Sequence, residues 1–222
     1  FSTTSKLSGY ATFVLGANAF SGSATDLRDA ASREVGGTTF NYDLQLVLDT
    51  SFTGKDLLRT VLRAGNFGTS AFGGAGPTGN LSTLEIAFEE ASGPDSLGID
   101  KLYYQFPIGT TFTATIGGRL GQEDMLAIWP NDNVTDPILN LFFLNGSTHN
   151  YSKNAGPGAG LWWQSNGWSL SAAYVAATGF LGDSSRGGLG NGNSQSTGTA
   201  QLAYAGDRWA VAAIYNYIQN GV

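Results

Sequence analysis

Three cations recur four residues apart, Lys55, Arg59 and Arg63. Side chains alternate between the two faces of a strand, so positions four apart share one side and the three form a basic row. Such a row brings no nucleophile. What it can do is electrostatic: attract anions on a wetted wall, or neutralise carboxylates beside it. Asp43 and Glu85 are the carboxylates expected on neighbouring strands, and Arg119 is a further cation on the polar side. Acids gather in residues 120–157, where Glu123, Asp124, Asp132 and Asp136 would line an eyelet if the segment folded inward. A basic wall opposite an acidic loop would set a transverse field and an ion preference. Pairing of Arg59 and Arg63 with Asp43 and Glu85 would instead hold the wall together.

Other reactive types do not assemble. His149 is the only histidine and cysteine is absent, so neither a thiolate metal site nor a triad can be built from them. Glu89 and Glu90 are adjacent and would face opposite sides. Residues 74–79 have dinucleotide-fingerprint spacing, but Pro77 and the strand predicted to follow exclude the helix start that motif needs. Trp162, Trp163 and Trp168 could stack a sugar or belong to an interfacial girdle. We therefore expect no enzyme, no cofactor and no metal.

The element that must position the cations is residues 39–67. Its first half alternates Phe40, Tyr42, Leu44, Leu46 and Leu48 against Asn41, Asp43, Gln45, Val47 and Asp49. After a polar turn at 51–54, Leu58, Thr60, Leu62 and Ala64 alternate against Lys55, Leu57, Arg59, Val61 and Arg63. This is a long hairpin with one apolar and one charged face. Each arm runs to about ten residues, longer than the five or six usual in soluble sheets and close to the nine to eleven a tilted strand needs to cross a bilayer. If the apolar face meets lipid, the arginines must point inward, because an Arg facing lipid at mid-membrane costs about 2–4 kcal/mol.

Similar alternation predicts further strands at 6–16, 81–90, 101–108, 111–119, 159–164, 168–178, 197–204 and 209–218, ten with the hairpin. Asn166-Gly167 is a strong tight-turn signal. Residues 18–37, 68–80 and 179–196 read as polar or glycine-rich loops. Placing the tight turns at Ser51, Asn166 and Gly206 on one side leaves 120–157 on the wrong side, which implies a strand missed or merged within 18–37, 68–80 or 90–100.

Composition agrees with a sheet of this type. Of 222 residues, 32 are glycine, 12% are aromatic and only 13% are charged, and the net charge of −6 argues against binding to a phosphate backbone. No apolar run reaches about eighteen residues, so no helix spans a bilayer, whereas a barrel needs apolar residues at alternate positions only. The chain opens on a polar stretch that reads as already mature, so no signal peptide is expected in it. Aromatics near strand ends (Phe40, Tyr42, Phe106, Phe112, Trp163, Trp168, Trp209, Tyr215) favour an antiparallel up-and-down transmembrane β-barrel over a soluble or surface β-sandwich that binds carbohydrate. Within it, 120–157 is the candidate constriction loop, its alternative being an external cap or a subunit contact, with the apolar stretch 138–144 packing it to the wall.

Several stretches (FSTTSKLSG, FNYDLQLVLDTSFTGKDLLRTVLRAGNF, KLYYQFPIG with TATIGGR, EDMLAIWP and GAGLWW) together resemble the cyanobacterial major outer-membrane porins, which combine an S-layer-homology domain with an OprB-like barrel. The resemblance runs over essentially the whole chain. It implies a homotrimer in the outer membrane of a cyanobacterium that passes small hydrophilic solutes and inorganic ions, with sugars or iron among the substrates ascribed to such porins. It also implies that residues 1–222 are one porin barrel domain, incomplete at its C-terminus and without the family's S-layer-homology domain before Phe1.

Overall fold

A computed structural model of the chain describes residues 3–77, 79–90, 92–129 and 151–220. Nine strands occur in it: β1 (Thr4–Gly16), β2 (Thr39–Ser51), β3 (Leu57–Gly65), β4 (Gly98–Ile108), β5 (Phe112–Leu120), β6 (Gly156–Ser165), β7 (Trp168–Ala176), β8 (Ser196–Ala205) and β9 (Ala210–Gln219). Each pairs antiparallel with the next in one sheet ordered β1 to β9. The described strands thus form a single up-and-down sheet, not the two layers of a sandwich.

The predicted strand 81–90 does not form. Its apolar alternation is real, but Ile86 is wholly buried and the segment belongs to an irregular excursion, residues 66–97, that carries short 3-10 turns at Ala71–Gly73 and Gly79–Leu81. Removing this strand gives nine instead of ten and resolves the conflict over sides, since the error was a strand too many. All short connections, 52–56, 109–111, 166–167 and 206–209, now lie at one end of the sheet, and the long ones, 17–38, 66–97, 121–155 and 177–195, at the other. A second correction concerns the loop at 18–37, which contains a helix, α1 (Thr25–Val35), with Asp26 in its first turn and Arg33 in its last, matching the helix dipole. It packs through Ala31 and Val35.

The two faces of the sheet are inverted relative to a soluble domain. On β8, Gln201 is fully buried while its neighbour Leu202 is 49% exposed, and on β1 Leu7 is 68% exposed. Asn41, Asp43, Gln45, Ser169, Ser171, Thr197 and Thr199 are buried on the polar face; Phe13, Leu15, Phe40, Ile116, Leu161, Leu170, Val211 and Tyr215 are exposed on the other. Aromatic rings mark the short-turn end: Phe52, Tyr104 and Phe106 pack in series, and so do Trp168, Tyr204 and Trp209.

Two short turns show how sequence fixes that end. Asn166 and Gly167 both take positive φ, 49° and 82°, the conformation a two-residue hairpin turn requires. In the β2–β3 turn Asp56 Oδ1 accepts hydrogen bonds from Ser51 Oγ (2.8 Å), Thr53 N (2.7 Å) and Thr53 Oγ1 (2.6 Å), and Oδ2 accepts from the Tyr104 hydroxyl (2.7 Å). The Thr53 hydroxyl above all, with Tyr104, the Thr53 amide and Ser51, holds this carboxyl far below the ordinary carboxylate range against the opposing effect of burial. A depressed carboxyl contributes stability that is complete above its unfolded value of about 3.9 and is lost as pH falls through the lower folded value. Asp56→Asn is therefore expected to lower the melting temperature at neutral pH, with the gap to wild type closing only in strong acid. Thermal melts across pH check this, and equal melting of the two proteins at pH 7 would contradict it.

Candidate functional site

The polar face of β2 and β3 carries the predicted cations in register. Asp49 pairs with Arg59 across the ladder and Gln45 with Arg63. Arg59 donates from Nε and Nη2 to the two carboxylate oxygens of Asp49, both at 2.8 Å. Arg63 donates from Nε to Asp43 Oδ1 at 2.6 Å, lies 3.9 Å from Asp100, and has the Phe88 ring 4.8 Å from its guanidinium carbon. Its Nη2 also donates to the Ile86 carbonyl (3.3 Å). Arg63 is thus roofed on the polar face by Ile86 and Phe88 of the 66–97 excursion, in which Phe67 and Ile86 are buried. Gly65 is needed where the segment crosses, because a β-carbon there would collide with the Phe88 carbonyl.

A second segment covers the other half of this face. After β5 comes a single 3-10 turn, Gln122–Asp124. Gln122 Nε2 donates to Thr199 Oγ1 (2.6 Å) and Asn216 Oδ1 (2.8 Å), while Gln122 Oε1 accepts from the Ser152 amide (2.7 Å). Lys101 Nζ donates to Glu123 (2.8 Å) and Asp124 (2.7 Å). The Ala127 amide reaches Ser171 Oγ, Gln201 Nε2 reaches the Ile128 carbonyl, and the Tyr151 hydroxyl reaches Gln201 Oε1. Met125 is buried with Tyr103, Leu120 and Val175, and Trp129 packs on Tyr151 with ring centres 4.4 Å apart. At Gly160 a β-carbon would come within 2.6 Å of Met125 Cβ, so β6 is bare of side chains where the segment lies on it.

These contacts fix the curvature. Strands lie about 4.8 Å apart, so β4 and β9 would stand about 24 Å apart in a flat sheet. Consecutive residues Gln122 and Glu123 nevertheless reach Asn216 on β9 and Lys101 on β4. The sheet is curled around its polar face, with both segments inside the curl.

Electrostatics inside the curl are local and paired. Burial opposes ionisation of Glu123 and Asp124; the Lys101 ammonium outweighs it for Glu123, whose carboxyl is held down, whereas burial and the charge of Glu123 leave Asp124 raised. Burial also raises Glu85, an effect partly offset by its ion pair with Lys153. Burial pushes the Tyr151 phenol up to about 12.

The predicted residues divide accordingly. Asp43, Arg59 and Arg63 lie on the polar face as expected, although the partner of Arg59 is Asp49 and not Glu85. Glu85 sits on the in-folded segment, not on a strand, and pairs with Lys153. Lys55 does not continue the row: it is exposed in the short turn before β3, because that strand begins at Leu57. Arg119 does not face the polar side either. The register shifts between Gly117 and Leu120, and Arg119 pairs with Leu102 on the apolar face. Glu123 and Asp124 lie in the in-folded segment as expected, while Asp132, Asp136, His149 and the 138–144 stretch lie outside the described residues. Sequence reading gave no role to Asp49, Asp100, Lys101, Gln122, Lys153 or Gln201. Of these, Asp49, Lys101 and Gln201 carried a signal, being polar positions within otherwise alternating strands.

No family model matches the sequence. The uncharacterized protein alr4550 of Nostoc sp. (strain PCC 7120) is 28% identical over 240 residues, which takes in 100% of this chain and 39% of that protein. The uncharacterized protein sll0772 of Synechocystis sp. (strain PCC 6803) is 31% identical over 169 residues, 75% of this chain and 29% of that protein. The chain thus spans well under half the length of these curated relatives and is similar, over that span, to cyanobacterial proteins.

Proposed function

We propose that the chain is part of an outer-membrane β-barrel of porin type, in a cyanobacterium, through which small hydrophilic solutes and inorganic ions diffuse. The observation that carries this is the inversion of the sheet: charged and amide side chains are buried inside its curl, and leucines, phenylalanines and tyrosines are exposed outside. Short turns at one end, long connections at the other and aromatic clusters at the strand ends support it, as does the cyanobacterial origin of the relatives. Assembly as a homotrimer is part of the same proposal. The paired charges change one feature of the expected pore. Among the described residues Arg63 is paired with Asp43, and Lys101 with both Glu123 and Asp124, so the charge most open to a passing ion is the pair of Arg59 with Asp49, which should set the ion preference. The full-length protein should require detergent for extraction, run as a heat-modifiable band and form channels in planar bilayers. Solubility in buffer alone would overturn the proposal.

A further inference from the structure

The two segments inside the curl are anchored independently. Residues 66–97 are held by Phe67, Ile86 and the Arg63–Phe88 contact on β3. Residues 121–129 and 151–155 are held by Gln122, Met125, Tyr151 and their partners on β4 to β9. Between them runs an ion pair from Glu85 to Lys153, with side chains 16% and 38% exposed. The lysine end of the pair is open to water, whereas the glutamate end is largely covered. Either segment keeps its own anchors without it. What the pair fixes is the separation of the two segments at that point.

We propose that Glu85 and Lys153 form a clasp between the two in-folded segments and thereby set the width, and so the solute-size limit, of the aqueous path. The inference rests on the channel reading above and names positioning residues for it, since both act by holding the segments and not by binding solute. The charges around the clasp make its two halves unequal. Glu85 also feels Arg63 and Glu123, and Glu123 feels Lys153. Removing the lysine leaves Glu85 close to Glu123 with repulsion between them, which pushes the segments apart. Removing the glutamate undoes the pair but leaves no like charges facing each other across the gap, so the segments are released without being driven apart. For the same reason exchanging the two residues cannot restore the clasp, because a lysine at 85 would meet Arg63 and a glutamate at 153 would meet Glu123.

The test uses the full-length protein in planar bilayers and in liposomes swollen with neutral oligosaccharides of increasing length. Lys153→Met should raise single-channel conductance by roughly twofold and admit a longer oligosaccharide, Glu85→Gln should do so to a smaller extent, and Lys153→Arg should match wild type. A segment that served only as structural filler would not give this order. If Lys153→Met fails to reach the heat-modifiable form, Glu85→Gln alone decides: a rise in conductance supports the clasp and none overturns it. Channels of wild-type conductance and size limit in Lys153→Met overturn the clasp while leaving the channel reading intact. Absence of channels from the wild-type protein overturns both.

Discussion

Lys101→Met is expected to destabilise the fold by about 3–5 kcal/mol, the range for removing one partner of a largely buried ion pair and leaving the other charge uncompensated. Lys101 projects from β4 between Glu123 and Asp124, whose side chains are 27% and 7% exposed. Without the ammonium, two carboxylates remain in contact inside the curl, and the adjacent Gln122 is levered from Thr199 and Asn216. The penalty should be greatest near neutral pH. As pH falls through the carboxylate range both acids can be neutralised, Asp124 first because its folded value is already raised, and the mutant should recover toward wild type. A triple variant, Lys101→Met with Glu123→Gln and Asp124→Asn, should recover much of the loss at pH 7, since neutral replacement of all partners removes the stranded charge. The temperature at which the heat-modifiable band converts reports these differences, and a single mutant that converts at the wild-type temperature would show that the lysine is not compensating those acids.

The two arginines of the original row should separate in function. Arg63→Gln leaves Asp43, which is 0% exposed, without its guanidinium beneath the roof of Phe88 and Ile86, and should cost about 3–5 kcal/mol without moving the reversal potential in a salt gradient. Arg59→Gln should do the reverse. Its pair with Asp49 is 36% and 30% exposed, worth about 1 kcal/mol or less, and its loss frees a carboxylate on the open wall and shifts the potential toward cation preference. Melting and reversal potential measured on both variants check the split. A shifted potential in Arg63→Gln with none in Arg59→Gln would place the aqueous path under the roof instead of beside it.

The hairpin 39–67 could be read from the sequence because a period of two, sustained over two long arms, leaves one register that keeps Asp43, Gln45 and Asp49 on the same side as Arg59 and Arg63. The same rule misread residues 81–90, where Leu84, Ile86 and Phe88 alternate with polar residues although Ile86 is buried against the polar face. Periodicity detects two-sidedness, and a segment folded inside a curl is two-sided as well. It also cannot see a slipped register, so Arg119 was carried to the wrong face by counting through Gly117 and Gly118. The helix at Thr25–Val35 escaped because its polar composition leaves little apolar face; its acidic start, its basic end and the absence of glycine and proline within it were the available signs. The partners of Gln122, Gln201 and Lys101 lay beyond reach for a different reason, although polarity within the strands marked Lys101 and Gln201 themselves. Each bond joins residues far apart in sequence, so nothing local encodes it.

That distance has a bearing on the order of assembly. Gln122 is 94 residues from its partner Asn216, and 77 from Thr199, so although Lys101 on β4 can hold the segment after β5 early, its amide network cannot close until β8 and β9 have joined the sheet. Contacts of such long sequence separation form late, after the entropy of closing the intervening loop has been met. The interior would then be furnished in two steps: the segment takes a first hold on β4, and the later strands, once laid down, lock it in place.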